Sequence, residues 1–206
     1  MTTDTLTSPT TICLIRHGET DWNDTRRYQG WSDIPLNVLG LEQAGIVARA
    51  MAGEQWDAIV SSPFDRALKT AEAIAAALNI DQIEEDADLR ERGYGDAEGL
   101  TLEEREARWP GPEWPGLESW DAMAERAMAA LDRIVARHAG QRVLVVCHGG
   151  LINAVLTRIS NGEHGTGITI ILNTARTTIL HDGAAWTVET VTDASHLPAQ
   201  VPAVTG

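Results

Sequence analysis

The order of segments predicts an α/β fold, a three-layer α/β/α sandwich with a mostly parallel central sheet. Three observations support it. Short β-branched runs alternate with longer stretches whose apolar residues recur at helical intervals. The run Val143–Cys147 is apolar without interruption, as a strand buried on both faces must be. The 206 residues contain no internal repeat and no interdomain linker, which fits one domain.

Taken in order, residues 1–10 are dominated by Thr, Ser, Asp and Pro and are expected to be disordered. The domain itself is expected over 11–192. Thr11–Ile15 reads as a first strand, and 36–51 as a helix carrying Leu36, Leu39, Val47 and Met51 at broadly helical intervals. A second strand is expected over Asp57–Ser61, followed by a helix that starts at Pro63 and runs through an alanine-rich stretch to Leu78. After an irregular segment, Ser119–His138 reads as a long helix stopped at Gly140, Val143–Cys147 as a strand, and 149–159 as a helix. Ile168–Leu172, Thr177–Leu180 and Trp186–Val191 read as strands near one end of the sheet, and 193–206 as a flexible tail.

Composition narrows the function. Sixteen basic against thirty acidic side chains leave a net charge of −14, a surface that repels nucleic acid and anionic membranes. An anionic ligand therefore needs a local basic pocket. The longest apolar run, Ala73–Leu78, falls far short of the roughly 20 residues needed to span a bilayer, and the N-terminus has no basic region followed by an apolar one. A cytoplasmic protein is the default expectation. Cys13 and Cys147, the only cysteines, both lie in apolar β-like runs and are expected to be buried reduced thiols.

Three strands end in residues suited to chemistry: Arg16-His17-Gly18, Ser61-Ser62 leading to Arg66, and His148-Gly149. Ligands of open α/β sheets bind outside the carboxyl ends of the strands, so these sets should meet in one crevice. Two histidines and two arginines gathered in so acidic a chain make a concentrated positive pocket. A phosphoryl group fits it, because the arginine fork matches phosphate oxygens, and the amide of Gly149 at a helix start adds a donor.

Five blocks, in this order along the chain, resemble the histidine phosphatase superfamily, the phosphoglycerate mutase-like family: Arg16-His17-Gly18-Glu19-Thr20 with Asn23; Gln29-Gly30-Trp31-Ser32-Asp33 with Pro35-Leu36; Ser61-Ser62-Pro63 with Arg66-Ala67 and Thr70-Ala71; Leu89-Arg90-Glu91; and Val146-Cys147-His148-Gly149-Gly150. The resemblance covers nearly the whole ordered chain. It implies that His17 is the nucleophile that becomes a phosphohistidine, that Arg16, Arg66 and His148 form the phosphate pocket, and that Glu91 protonates the leaving oxygen and then activates water. It also implies that Asn23, with Thr20, Gln29, Gly30 and Gly149 beside it, contacts the substrate. No cofactor and no metal are implied, since arginines and histidines supply the positive charge.

Each residue also has a plainer reading. A single buried histidine is ordinarily a satisfied core residue, Glu91 could be a surface carboxylate paired with its arginine neighbours, and Asn23, Thr20 and Gln29 could be turn residues. His138, His164, His181 and His196 have no matching partners and read as structural or surface groups. The stretch Trp109-Pro110-Gly111-Pro112-Glu113-Trp114-Pro115-Gly116, with Trp120, is either a stiff flap that closes over substrate or a loop pinned by its rings. Within the family, mutases carry a longer, basic insertion after the general acid, whereas this chain has a short stretch rich in Glu and Trp. That departure favours a phosphatase acting on a small phosphorylated metabolite over a phosphoglycerate mutase or a noncatalytic phosphate-binding protein. Arg105 and Arg108 keep the mutase open, and a strand near the sheet edge could pair with a second copy to give a homodimer.

Overall fold

The computed structural model describes residues 8–198. Strand β1 (Thr10–Arg16) is followed by a one-turn helix α1 (Asp21–Asp24), helix α2 (Val38–Met51) and strand β2 (Ala58–Ser61). Then come α3 (Asp65–Leu78), β3 (Ile83–Glu85), two 3-10 turns, α4 (Leu102–Arg108), α5 (Trp120–Arg137), β4 (Arg142–Cys147), α6 (Gly149–Ile159), β5 (Arg176–His181) and β6 (Trp186–Asp193). The sheet order is β3-β2-β4-β1-β5-β6, with β1, β2, β3 and β4 parallel and β5 and β6 antiparallel to their neighbours.

The period-2 alternation of side chains divides the core into two layers. Ile12 and Leu14 of β1 and Val143, Val145 and Cys147 of β4 pack with Met123, Leu131 and Ile134 of α5 and Leu151 and Val155 of α6. The intervening residues, Cys13, Ile15, Leu144 and Val146, face the other way and pack with Val47 and Met51 of α2 and Ala67 and Ile74 of α3. Both central strands are thus buried on both faces, which is why they read as continuous apolar runs. Fully burying each Leu, Ile or Val contributes about 1.5–3 kcal/mol, before the entropy of ordering the chain is set against it. Cys13 and Cys147 are buried and unbridged, and burial raises both thiol pKa values.

Local chemistry sets the helix boundaries. Asn37 accepts from the Gly40 amide at 2.8 Å to start α2, and Ser119 accepts from Ala122 at 3.0 Å to start α5. The two helices that follow β2 and β4 lack a local side-chain cap. Acids from elsewhere supply one: Asp33 accepts from the Asp65 amide at 2.9 Å, and Glu91 accepts from Gly150 and Leu151 at 3.0 and 3.1 Å.

Several sequence expectations are corrected. The helix expected from Pro63 begins at Asp65, two residues later. Ile168–Leu172 is not a strand: Ile168 and Ile170 are 63% and 77% exposed, and the Ile171 carbonyl accepts from Arg16 Nη1 at 2.7 Å instead of joining a ladder. Strand β3 and helices α1 and α4 were not anticipated. The expected ends at 1–10 and 193–206 fall outside the described residues at 1–7 and 199–206. Where they overlap, Thr10 belongs to β1, Asp193 closes β6, and the Thr174 hydroxyl lies 3.3 Å from His196 Nε2. No helix among the described residues is long and apolar enough to cross a membrane.

Candidate active site

The carboxyl ends of β1, β2 and β4 lie side by side, and the chemistry-bearing residues gather there as the topology requires. The His17 and His148 rings meet edge to face with centroids 5.1 Å apart. Arg16, His17, Asn23, Gln29 and Gly30 line a cavity of about 380 Å³. Arg66, Glu91 and Gly149 line it as well, so eight of the ten residues expected from sequence line one cavity; His148 and Thr20 do not.

His17 is 3% exposed, and its Nδ1 lies 2.6 Å from the Gly18 carbonyl oxygen. A carbonyl only accepts, so Nδ1 carries the proton and Nε2 keeps its lone pair. Burial, reinforced by the charges of Arg66 and Arg16, holds the His17 pKa well below its ordinary value. The ring is therefore neutral near pH 7. His148 sits behind it, fully buried, with Nε2 2.8 Å from the Ser62 hydroxyl. Its Nδ1 has no partner among the described residues, and burial, followed by the charges of Arg66 and Arg16, depresses its pKa too. If the Ser62 hydroxyl donates to Nε2, Nδ1 is the protonated nitrogen and is available as a donor.

The arginines are aimed by backbone carbonyls. Arg66 is fully buried and donates through Nη1 to Ser32 at 2.9 Å and through Nη2 to Gly30 at 2.8 Å, leaving Nε without a partner among the described residues. Burial lowers its pKa to about 10, so it stays charged near neutrality. Arg16 Nε is likewise buried and unpartnered, and its side chain lies against the bare α-carbon of Gly149, where an added Cβ would stand 3.4 Å away. Unpartnered, buried guanidinium nitrogens on two cavity-lining arginines are suited to an anion. Glu91 faces them from the amino end of α6, its carboxylate also accepting from the Arg92 amide at 2.9 Å.

Thr20 departs from its expected contact role. It is fully buried and not among the cavity-lining residues; as the N-cap of α1 it forms a capping box with Asn23. The physical reason is local: the one-turn helix needs its free amides satisfied, and the Thr20 hydroxyl is used for that. Arg126 and Asn173, which hold parts of the candidate site, carried no sequence signal. Arg126 on α5 donates to the carbonyls of Asp88, Arg90 and Glu91 at 2.6–2.8 Å and so fixes the Glu91 segment. Asn173 donates to the His17 carbonyl at 3.0 Å. Tyr94, Asn153 and Trp120 also line the cavity.

The Trp-Pro segment is tied down. Trp114 donates to the Tyr94 carbonyl at 2.7 Å and lies under the Arg105 guanidinium, while Trp120 lies under Arg92, 4.2 Å from the guanidinium carbon. These contacts support the pinned-loop reading over the flap.

Fold and site together define an α/β protein in which a buried histidine pair lies beside an arginine-lined cavity. The family model described as histidine phosphatase superfamily (branch 1) matches residues 12–194, and the chain belongs to that superfamily. It is 40% identical over 188 residues to the "Uncharacterized phosphatase PhoE" of Bacillus subtilis (strain 168), covering 91% of this chain and 97% of that one. It is 35% identical over 201 residues to the "Metal-independent phosphoserine phosphatase" of Arabidopsis thaliana, covering 91% and 83%. Among solved structures, a phosphoglycerate mutase from Bacillus anthracis str. Sterne matches with a TM-score of 0.81 and 28% identity, covering 94% of this chain and 97% of that one. The chain is accordingly an enzyme of the phosphoric monoester hydrolase type.

Proposed function

We propose that this chain hydrolyses a small phosphomonoester, without a metal ion, through a phosphohistidine on His17. The observation that carries the reading is the tautomer: the Gly18 carbonyl holds the proton on Nδ1 of a ring kept neutral by burial, so Nε2 is free to attack. Nε2 attacks phosphorus, the N–P bond forms and the ester P–O bond breaks, and Glu91 gives its proton to the leaving oxygen. Water then attacks phosphorus, Glu91 takes up its proton, the N–P bond breaks, and inorganic phosphate leaves. Arg16 and Arg66, which line the cavity, stabilise the equatorial oxygens, with His148 Nδ1, unpartnered among the described residues, as a further donor. In this reading arginine charge takes the part that Mg²⁺ plays elsewhere. The short acidic and aromatic stretch after Glu91 favours release to water over return of the phosphoryl group to a substrate, and the resemblance to a named phosphoserine phosphatase makes phosphoserine a first substrate to try.

The test is release of phosphate, in the presence of EDTA, from a panel that includes phosphoserine and 3-phosphoglycerate. Appearance of 2-phosphoglycerate is followed in the same tubes after a trace of bisphosphoglycerate. Free phosphate that disappears in His17→Ala supports the hydrolase. Interconversion of the phosphoglycerates with little free phosphate would make the chain a mutase instead.

A further inference from the structure

Its own helix gives Arg66 only the Phe64 ring at the N-cap, 4.7 Å from the guanidinium carbon; the hydrogen bonds that orient it come from elsewhere. Both of its terminal nitrogens are engaged by carbonyls of the loop Gly30–Ser32, at 2.8 and 2.9 Å, so the guanidinium points where that loop lets it point. The loop is in turn organised by one carboxylate from a distant segment. Glu98 Oε1 accepts from the amides of Trp31 at 2.8 Å and Tyr94 at 3.2 Å; Oε2 accepts from the Ser32 amide at 2.7 Å and the Ser32 hydroxyl at 2.6 Å. Four donors converge on one side chain. The close approach depends on a bare α-carbon: a Cβ on Gly30, whose φ is +55°, would lie 2.2 Å from Glu98 Oε1.

We propose that Glu98 is a positioning residue for phosphate capture, fixing the Gly30–Ser32 loop so that its carbonyls aim the Arg66 guanidinium into the cavity. The inference rests on the reading of Arg66 as a phosphate-binding side chain. Hydrogen bonds to a charged acceptor are roughly twice as strong as neutral ones, so a neutral amide at this position holds the loop less firmly. The same carboxylate grips the Tyr94 amide, and Tyr94 lines the cavity beside Glu91. One side chain therefore registers the arginine loop against the segment that carries the proposed general acid. Its negative charge also supports the charged form of Arg66 against the cost of burial.

The test is a double-mutant cycle between Glu98→Gln and Arg66→Ala, read as kcat/KM on p-nitrophenyl phosphate and as the affinity for inorganic phosphate by calorimetry. In the wild-type background Glu98→Gln should lower kcat/KM about 10-fold to 100-fold and weaken phosphate binding, with circular dichroism showing the fold retained. In the Arg66→Ala background the same change should cost several-fold less, because no guanidinium is left to aim and only the grip on the Tyr94 amide remains. An equal loss in both backgrounds, or unchanged phosphate affinity in a folded Glu98→Gln variant, overturns the proposal. Ser32→Ala, which removes the single 2.6 Å hydroxyl contact, is the milder variant should Glu98→Gln not fold, and the same cycle applies to it. A wild-type protein that binds phosphate but releases none from any ester overturns the phosphatase reading, while the phosphate-binding cycle still decides the role of Glu98.

Discussion

Acidification probes the two buried histidines directly. His17 and His148 are 3% and 0% exposed, and both pKa values are pushed well below 6.5, first by burial and then by the nearby arginine charges. In the unfolded chain each binds a proton as the pH falls through about 6.5, while in the native protein each stays neutral over that range. The unfolded state then holds more protons. The contribution of the pair is therefore fully present above about pH 6.5 and is lost as the pH falls toward the native pKa values. With a native ring that takes up no proton by about pH 5, each histidine costs about 2 kcal/mol between about pH 7 and pH 5, and the pair about 4 kcal/mol, a ceiling set by linkage alone. That is a large share of a typical domain stability of about 5–15 kcal/mol. Urea unfolding in phosphate-free buffer across this range, for the wild type and a His17→Gln/His148→Gln variant, isolates the contribution because all other groups titrate in both. The wild type should lose stability more steeply, by up to the ceiling. Parallel pH dependences would refute the assignment of two buried neutral rings.

Further outcomes follow from single contacts. Ser62→Ala removes the hydroxyl at 2.8 Å from His148 Nε2 and should lower kcat about 10-fold to 100-fold and, by leaving a buried ring nitrogen unpaired, cost about 1–3 kcal/mol of stability, as steady-state kinetics and calorimetry would show. Gly150→Ala places a Cβ 2.5 Å from Glu91 Oε1, so it should displace the carboxylate and depress kcat more than it raises KM. Thr20→Ala breaks the capping box of α1 and should cost about 1 kcal/mol by denaturant unfolding while leaving KM within about twofold. A large KM effect there would return Thr20 to the substrate-contact role expected from sequence.

What the sequence made legible follows from which signals are local. Continuous apolar runs located β1 and β4, and Gly140 marked the region where α5 stops, because burial on both faces and chain reversal leave composition marks. The three residues of β3 are too few for periodicity. Helix α4 did leave a readable sign, Thr101 followed by Glu104, which form a capping box. Ile168–Leu172 was misread because β-branched composition does not reveal that a carbonyl is needed by Arg16. At the site, the strand-end residues could be read from motif and position. Arg126, Asn173 and Glu98 could not, because they act largely through contacts to backbone groups 35, 156 and 66 positions away. The fate of the Trp-Pro segment likewise turned on distant partners, the Tyr94 carbonyl and Arg105.

The most direct test of the account is to trap the intermediate. The protein would be mixed with a turned-over phosphoester, quenched in base to preserve N-linked phosphate, digested, and mapped by mass spectrometry. The mechanism predicts one phosphoryl group on His17, absent from His17→Ala, which should also release no phosphate. Phosphate release retained by His17→Ala, or a phosphoryl group carried by a different residue, would contradict it.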